Sequence, residues 1–296
     1  MGTISPSITE NMNKIWAELQ ETEEGEKALK LLKIDGKTMR GNRTANQSGL
    51  HVVTVYSDQG FSIADQAVGS KGSERTAISD LLRKIQVPGA AITIDANGTY
   101  QHIARQITEE NKAFYVLPIK NNQPKLFEEV KICFSDEILI SDLKAEGKYF
   151  RTEEWARSQQ EIREYFHYDF QMWERASEWP KAKNLGMVKR TRVKDGVTKV
   201  EIAYFIDSLE NNVIEFSKAV RGHWSIEVLH WHLDVTFRED SNKTISQTAA
   251  LNMNHMRKLA LSILKAIEFK KKASLKSKRF MMSMQFEKYA EVIFSI

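Results

Sequence analysis

Strand-like and helix-like segments alternate between residues 31 and 120, and this alternation restricts the fold more than any other feature of the chain. Short apolar runs such as LLKID, HVVTVYS, AAITIDA and AFYVLPIK are typical of buried strands. Between them, ERTAISDLLRKI has apolar residues at helical spacing and ends at Pro88 and Gly89, and QHIARQITEEN also predicts a helix. This order predicts an α/β fold with a mixed sheet and flanking helices.

Changes in composition divide the chain into four segments. Residues 1–30 are polar and acidic, which indicates a helical lead-in, and residues 31–135 contain the alternation of strands and helices. Residues 136–215 are charged and show strand patterns in EIREYFHYDF, LGMVKRTRV and KVEIAYFIDSL, so they predict a β-rich insertion. Residues 216–296 have a mainly helical pattern. We expect the insertion to precede the helix that bears Glu227.

Overall composition limits the class of protein. The 296 residues are 42% hydrophobic, enough for one large domain with an insertion or for two smaller domains. No apolar run reaches the ~18 residues needed to span a bilayer, and the N-terminal residues are too polar for a signal peptide, so we expect a cytoplasmic protein without membrane contact. Cys133 is the single cysteine, which excludes an internal disulfide and a cysteine-rich zinc site.

Positive charge is concentrated near the C-terminus. Residues 257–296 contain ten Lys or Arg residues and three Glu residues, whereas the whole chain has a net charge of +4. Such a segment, with Lys270, Lys271 and Lys272 in its middle, is expected to attract nucleic acid phosphates without sequence specificity. The alternative is a solvated helix end that binds no ligand.

Two aspartates follow apolar runs of the predicted sheet. Asp35 lies in LLKIDGKTMRG and Asp95 lies in AAITIDANGTY. Carboxylates held at the edge of a sheet tolerate one another when a divalent cation neutralises them, which favours a metal-dependent phosphoryl-transfer site. Each aspartate also has a simpler interpretation, because Asp35 and Gly36 form a common turn dipeptide and Asp95 is suited to cap the following helix.

A third acid, Glu227, lies on a predicted helix that is rich in Trp and His. His223, His230 and Asp234 are spaced so that they share a helix face with Glu227. One alternative is a structural helix whose apolar stripe packs into the core, the stripe being Trp224, Val228, Trp231 and Val235. Another is zinc binding by His223, Glu227 and His230, although their spacing differs from the His-Glu-x-x-His pattern of metalloproteases.

Five segments, in order along the chain, resemble the DDE transposases of bacterial insertion sequences, in the family that includes the H-repeat-associated proteins. They are IDGKTMRG, ITIDANGT, VLPIKNNQPKL, YFIDSL, and RGHWSIEVLHWHLDVTFRED with LNMNHMRKLALSILK after it. The resemblance covers roughly residues 31 to 280. The long helical segment is the most specific of the five, since it combines His-Trp, Glu, His-Trp, Leu-Asp and Glu-Asp at fixed spacings.

The resemblance implies a ribonuclease H-like fold and a particular site. Asp35, Asp95 and Glu227 match the three DDE acids, which would hold two Mg²⁺ or Mn²⁺ ions and catalyse DNA cleavage and strand transfer. The implied partner is double-stranded DNA, bound by a homodimer. The residues expected to position phosphates or to brace the Glu helix are Lys37, Arg40, Lys120, His223, Trp224 and Arg238.

Two further function classes stay open. Only 34 residues precede Asp35, whereas the resemblance implies a longer region, so residues 1–30 are expected to be a shortened lead-in. Loss of end recognition would leave a DNA-binding protein without transposition activity. A metal-dependent nuclease that cuts DNA without joining ends would use the same acids.

Overall fold

The computed structural model describes residues 30–69, 73–156, 158–169, 173, 175, 178–267, 269 and 273–289. The expected lead-in lies outside this described part except for Lys30, and so do Lys270, Lys271 and Lys272. The strands of the described part are β1 (Leu31–Thr38), β2 (His51–Ser57), β3 (Ser62–Ala67), β4 (Ala91–Ile94), β5 (Phe114–Ile119), β6 (Tyr149–Ala156), β7 (Gln159–Asp169), β8 (Asn184–Lys194) and β9 (Val197–Asp207).

Helices flank these strands. They are α1 (Glu74–Lys84), α2 (Gln101–Arg105), α3 (Pro124–Cys133), α4 (Glu137–Ala145), α5 (Val213–Trp231), α6 (Gln247–Ala266) and α7 (Leu275–Met284). The π-helical turns Gln106–Glu110 and His232–Thr236 continue α2 and α5, and the 3₁₀ turns are Ala96–Gly98 and Glu239–Ser241. None of the described helices is long and apolar enough to cross a membrane.

The nine strands form one mixed sheet in the order β3-β2-β1-β4-β5-β9-β8-β7-β6. The first three strands pair antiparallel, whereas β4 and β5 continue the sheet parallel to β1. The predicted mixed α/β fold with flanking helices is therefore confirmed.

Alternation along β1 places two sets of side chains on opposite faces of the sheet. Leu32 and Ile34 are buried in the main core with Ile78 of α1, as the helical spacing in that segment predicted. Leu31 belongs to a second apolar cluster with Phe216 of α5 on the other face. By the same alternation, Asp35 lies on the face that α5 covers.

The β-rich insertion extends the same sheet. β6, β7, β8 and β9 pair antiparallel in sequence, and β9 pairs antiparallel with β5 from Val116↔Asp207 to Ile119↔Tyr204. The strand patterns of β7, β8 and β9 were predicted, but β6 and α4 were not. The residues of β6 are half-buried or exposed, so its sequence lacks a strong apolar alternation. The segment boundaries at 135 and 215 stay predictions.

The N-terminal half of α5 packs against the insertion strands. The ring of Phe216 stacks on His167 of β7 with centroids 5.0 Å apart and packs edge-on against Phe205 of β9. The fully buried side chains of His167 and Asp207 also join β7 to β9, with Nε2 and Oδ2 2.9 Å apart. Phe216 is thus the main apolar contact between the Glu-bearing helix and the insertion.

Gly186→Ala is expected to destabilise the protein. A methyl group at position 186 would overlap the ring of Phe216, and overpacking of this kind costs about 1–3 kcal/mol in the free energy of unfolding. Urea unfolding followed by tryptophan fluorescence measures the change. Gly69→Ala is the control, because no atom of the described residues lies within 4 Å of a methyl group there, and it should change stability by less than about 0.5 kcal/mol. Equal stability of the two variants would contradict the packing described for Phe216.

Candidate active site

The two predicted aspartates are neighbours at one edge of the parallel strand pair. The pairing of Ile34 with Ile94 puts Asp35, in β1, beside Asp95, directly after β4. The interpretation of Asp35 as a turn residue is wrong, since β1 continues to Thr38. Asp95 caps the 3₁₀ turn Ala96–Gly98, because its Oδ1 accepts hydrogen bonds from the backbone N–H groups of Asn97 and Gly98 at 3.0 and 3.3 Å. The prediction that Asp95 caps the following helix is wrong, since the N-cap of that helix is Tyr100.

Glu74 joins the two aspartates and was missed in the sequence analysis. Carboxylate oxygens of Asp35, Glu74 and Asp95 all lie within 4.8 Å of one another, an arrangement that could hold a metal ion. Glu74 is the first residue of α1, after the N-cap Ser73, whose side chain accepts a hydrogen bond from the Thr76 amide at 3.2 Å. An acid in the first turn is ordinary helix chemistry, so the sequence pattern gave no reason to single it out.

Gly36 makes room for Glu74. A methyl group at position 36 would lie 2.5 Å from Oε1 of Glu74 and would also overlap the ring of His51. His51 Nε2 in turn lies 3.6 Å from Glu74 Oε2, and Nδ1 of the same ring is 2.8 Å from Thr38 Oγ1. The Asp-Gly pair is therefore explained by close packing of an acidic side chain over β1 and not by a turn.

Burial and mutual repulsion disfavour the ionised forms of the two aspartates. Burial raises the pKa of Asp35 to about 7, and the charges of Asp95, Glu74 and Glu227 add to the rise. Burial and Glu74 also raise the pKa of Asp95, whereas the amides of Gly98 and Asn97 and the charge of Lys120 oppose this. A divalent cation would favour the ionised form of both groups.

Glu227 is exposed and lies on α5, the helix that packs on β1 and β4. It does not belong to the set within 4.8 Å, but it is close enough to raise the pKa of Asp35. Its helix is fixed over the sheet edge by His223, whose Nδ1 forms a hydrogen bond with Thr93 Oγ1 at 2.9 Å. One turn beyond Glu227, His230 Nδ1 lies 3.5 Å from Asp35 Oδ2.

Neither alternative interpretation of this helix is supported. In the described residues the compact acid set consists of Asp35, Glu74 and Asp95, and the two histidines contact Thr93 and Asp35 separately, so a zinc set around Glu227 is not formed. The expectation that the apolar stripe packs into the core is wrong. Its four side chains are 36–55% exposed, namely Trp224, Val228, Trp231 and Val235. The buried face of α5 instead presents Ile226 and Leu229.

The expected phosphate-binding residues lie in different surroundings. Lys120 is exposed at the end of β5, near enough to lower the pKa of Asp95. Lys37 is half-buried, and its Nζ lies 2.7 Å from Asp234 and 3.0 Å from Glu239, so it holds the end of α5 to β1. Arg40 and Arg238 are exposed, and Arg238 has a left-handed backbone with φ of 53°. Their contacts with DNA stay predictions.

Basic residues of the C-terminal segment make internal contacts where the structure describes them. Lys258 Nζ is buried and donates to Asp65 Oδ1 at 2.5 Å and to Thr54 Oγ1 at 2.7 Å, which holds α6 to the sheet. Four others also contact protein groups: Arg257, Lys265, Lys278 and Arg279. Part of the positive charge of this segment therefore stabilises the fold and does not face solvent.

The raised pKa values predict a specific dependence of stability on pH. Because Asp35 binds its proton more tightly in the folded than in the unfolded chain, the metal-free protein should lose stability as the pH rises from about 4 through 7. Thermal unfolding in EDTA should show a smaller loss over this range for Asp35→Asn than for the wild type. Added Mn²⁺ should raise the wild-type midpoint more at pH 8 than at pH 5.5, since the cation competes with protons. A rise independent of pH would contradict this site.

Gly36→Ala tests the position of Glu74. The added methyl group should displace Glu74 from the aspartates and weaken Mn²⁺ binding by about tenfold, the scale of losses when a group supporting a metal site is removed. Isothermal titration calorimetry with Mn²⁺ measures the affinity, and Gly69→Ala is the control. An affinity equal to that of the wild type would show that Glu74 does not bind the cation.

Comparison with known proteins agrees with this geometry. A family model described as "Transposase DDE domain" matches residues 27–263. The chain is 31% identical over 261 residues to "Putative transposase YncI" of Escherichia coli O157:H7, which covers 84% of the chain and 64% of that relative. It is 28% identical over 245 residues to "H repeat-associated putative transposase YhhI" of Escherichia coli (strain K12), which covers 79% of the chain and 64% of that relative.

The matched part of the chain thus spans less than two thirds of the length of these two relatives. The family match itself extends over most of the chain and includes Asp35, Glu74, Asp95 and Glu227. The resemblance drawn from the sequence is confirmed, and the chain belongs to the transposase family with a DDE domain.

Proposed function

We propose that this protein catalyses metal-dependent cleavage and strand transfer of DNA, as the transposase of an insertion sequence. The observation that carries the proposal is the convergence of Asp35, Glu74 and Asp95 at one sheet edge beneath the helix that bears Glu227. Three carboxylates in a partly buried site are costly unless a cation binds them. The family match supports DNA as the substrate.

The donor set fits Mg²⁺ or Mn²⁺. All three clustered ligands are carboxylates, and hard oxygen ligands suit these ions better than zinc or copper. We propose that Asp35, Asp95 and Glu227 hold two ions and that Glu74 is a fourth acid ligand. Bound ions would supply Lewis-acid activation of a water or a 3′-hydroxyl and would stabilise the leaving oxygen.

The protein groups around the acids position the reaction. Lys120 lies near Asp95 and near His223 of α5, where its charge would attract the phosphate. His223 and Lys37 hold α5 at two points, through Thr93 and Asp234, so Glu227 keeps a fixed relation to the aspartates. We propose that the substrate is double-stranded DNA, bound by a homodimer that brings two element ends together.

Cleavage of DNA tests the function and the site. A supercoiled plasmid carrying the flanking sequences of the gene is incubated with the protein and Mg²⁺ or Mn²⁺. Asp95→Asn and Glu227→Gln should reduce the rate by about 100-fold or more, because each removes a charge that stabilises the transition state. Glu74→Gln should cost about 10- to 100-fold. Asp80→Asn is the matched control, since that half-exposed acid on α1 pairs only with Arg83 in the described contacts.

The products separate this proposal from its two alternatives. Joining of cleaved ends to a target plasmid supports a transposase, whereas nicked or linear DNA without joined products would show a nuclease. DNA binding without any metal-dependent cleavage would show a binding protein. Cleavage that persists in Asp95→Asn and Glu227→Gln would contradict the assignment of the site.

A further inference from the structure

Three arginines surround Trp224 where the insertion strands meet α5. The guanidinium carbons of Arg190, Arg221 and Arg163 lie 4.3, 5.1 and 5.5 Å from the centre of its ring. Arg163 comes from β7, Arg190 from β8, and Arg221 from α5 itself. We call this group the Trp224 arginine cluster. Stacking on the indole holds the guanidinium groups in place without neutralising their charge.

The three positive charges of the Trp224 arginine cluster lie close enough to repel one another. Arg163 and Arg190 are directly paired residues of β7 and β8, and like charges in that position destabilise a sheet. Burial lowers the pKa of Arg163, and the charges of Arg221 and Arg190 lower it further. Burial and the charges of Arg192 and Arg221 lower the pKa of Arg190, whereas Glu201 and Glu227 oppose this. The fold therefore holds together three cations that repel one another.

Three carboxylates offset this repulsion, and one of them, Glu201, lies 3.6 Å from Arg190 with a half-exposed side chain. Glu161 is enclosed and accepts hydrogen bonds from Arg190 at 2.5 and 2.9 Å, and it also pairs with Arg163. Glu154 lies 3.5 Å from Arg163 and 3.7 Å from Arg221, but its side chain is half exposed, so water screens it. The Arg163 side chain is 6% exposed, and its Nη1, the atom that faces Glu154, makes no hydrogen bond with the described residues. A phosphate in the place of Glu154 would supply this buried donor with an acceptor.

The cluster adjoins the proposed active site. Trp224 precedes Glu227 by about one helical turn, and the charge of Glu227 raises the pKa of Arg190. A DNA strand that reaches the aspartates from the insertion side would pass over this group. Arginine binds phosphate through two donors at once, and Glu154 is exposed enough to rotate into water when a phosphate takes its place.

We infer that Arg163, Arg190 and Arg221 around Trp224 bind a backbone phosphate of DNA on the insertion side of the cleavage site. This inference rests on the proposed function, because it names the path of the substrate into the same site. The competing explanation is that the arginines only brace α5 against the insertion strands. The two differ in what they predict for DNA affinity at varied salt concentration.

The test is DNA binding in EDTA, without cleavage, using a fluorescent duplex that carries the flanking sequence. Arg190→Gln and Arg221→Gln should each weaken binding by about tenfold at moderate salt and lower the slope of log K against log salt by about one. Glu154→Gln should tighten binding, because it removes the competing carboxylate. The matched controls are Arg151→Gln and Glu153→Gln, which change residues on the opposite face of β6 and should leave affinity and slope close to those of the wild type.

DNA in which a single backbone phosphate has lost its charge shows which phosphate the arginines contact. Methylphosphonate replacement of the contacted phosphate should weaken binding by the wild type but not by Arg221→Gln. Unchanged affinity and salt slope in both arginine variants, or variants that lose only thermal stability, would overturn the inference in favour of bracing. In that case cleavage by the wild type would still support the proposed function, whereas a wild type that does not bind DNA would overturn both.

Discussion

Repulsion among carboxylates at the edge of the β1 and β4 pair is the constraint on which the rest of the structure depends. Asp35 and Asp95 are brought together by strand register, and Glu74 by the start of α1. The surrounding chain offsets part of the cost through amide donors to both aspartates and through the charge of Lys120. Burial, together with the neighbouring acids, still raises the pKa of Asp35 to about 7, a cost that the proposed cation would offset.

Local sequence patterns predict the buried strands of the sheet, but they do not predict how the insertion strands continue it. Buried strands such as β1, β4 and β5 are short apolar runs, so their sequence predicts them wherever they pair. β6 is one edge of the sheet, and its mostly exposed side chains leave no such pattern. The pairing of β9 with β5 joins residues more than 80 positions apart and has no local signal. Strand existence was therefore predictable where burial was high, and strand order was not.

The residues of the candidate site were also predicted only in part from the sequence. Asp35 and Asp95 stand out because they interrupt or follow apolar runs, and Glu227 was assigned through the resemblance of its helix to a known family. Glu74 has no such signal, since its proximity to Asp35 depends on Gly36 and on the packing of α1 over β1. The stripe of Trp224 and Trp231 was ambiguous because helical spacing does not say which face is buried. Only the tertiary structure shows that Ile226 is buried and that Trp224 is not.

Direct hydrogen bonding between β5 and β9 has a mechanical consequence. The insertion strands continue the sheet that carries the two aspartates. A hinge movement of these strands would therefore break the hydrogen bonds between β5 and β9, whereas a change in sheet twist would not. α5 crosses this junction, held by Phe216 on the insertion side and by Lys37 at the other end. The same helix is thus attached both to the insertion strands and to β1. The position of Glu227 over the aspartates therefore depends on the insertion as well as on the first five strands.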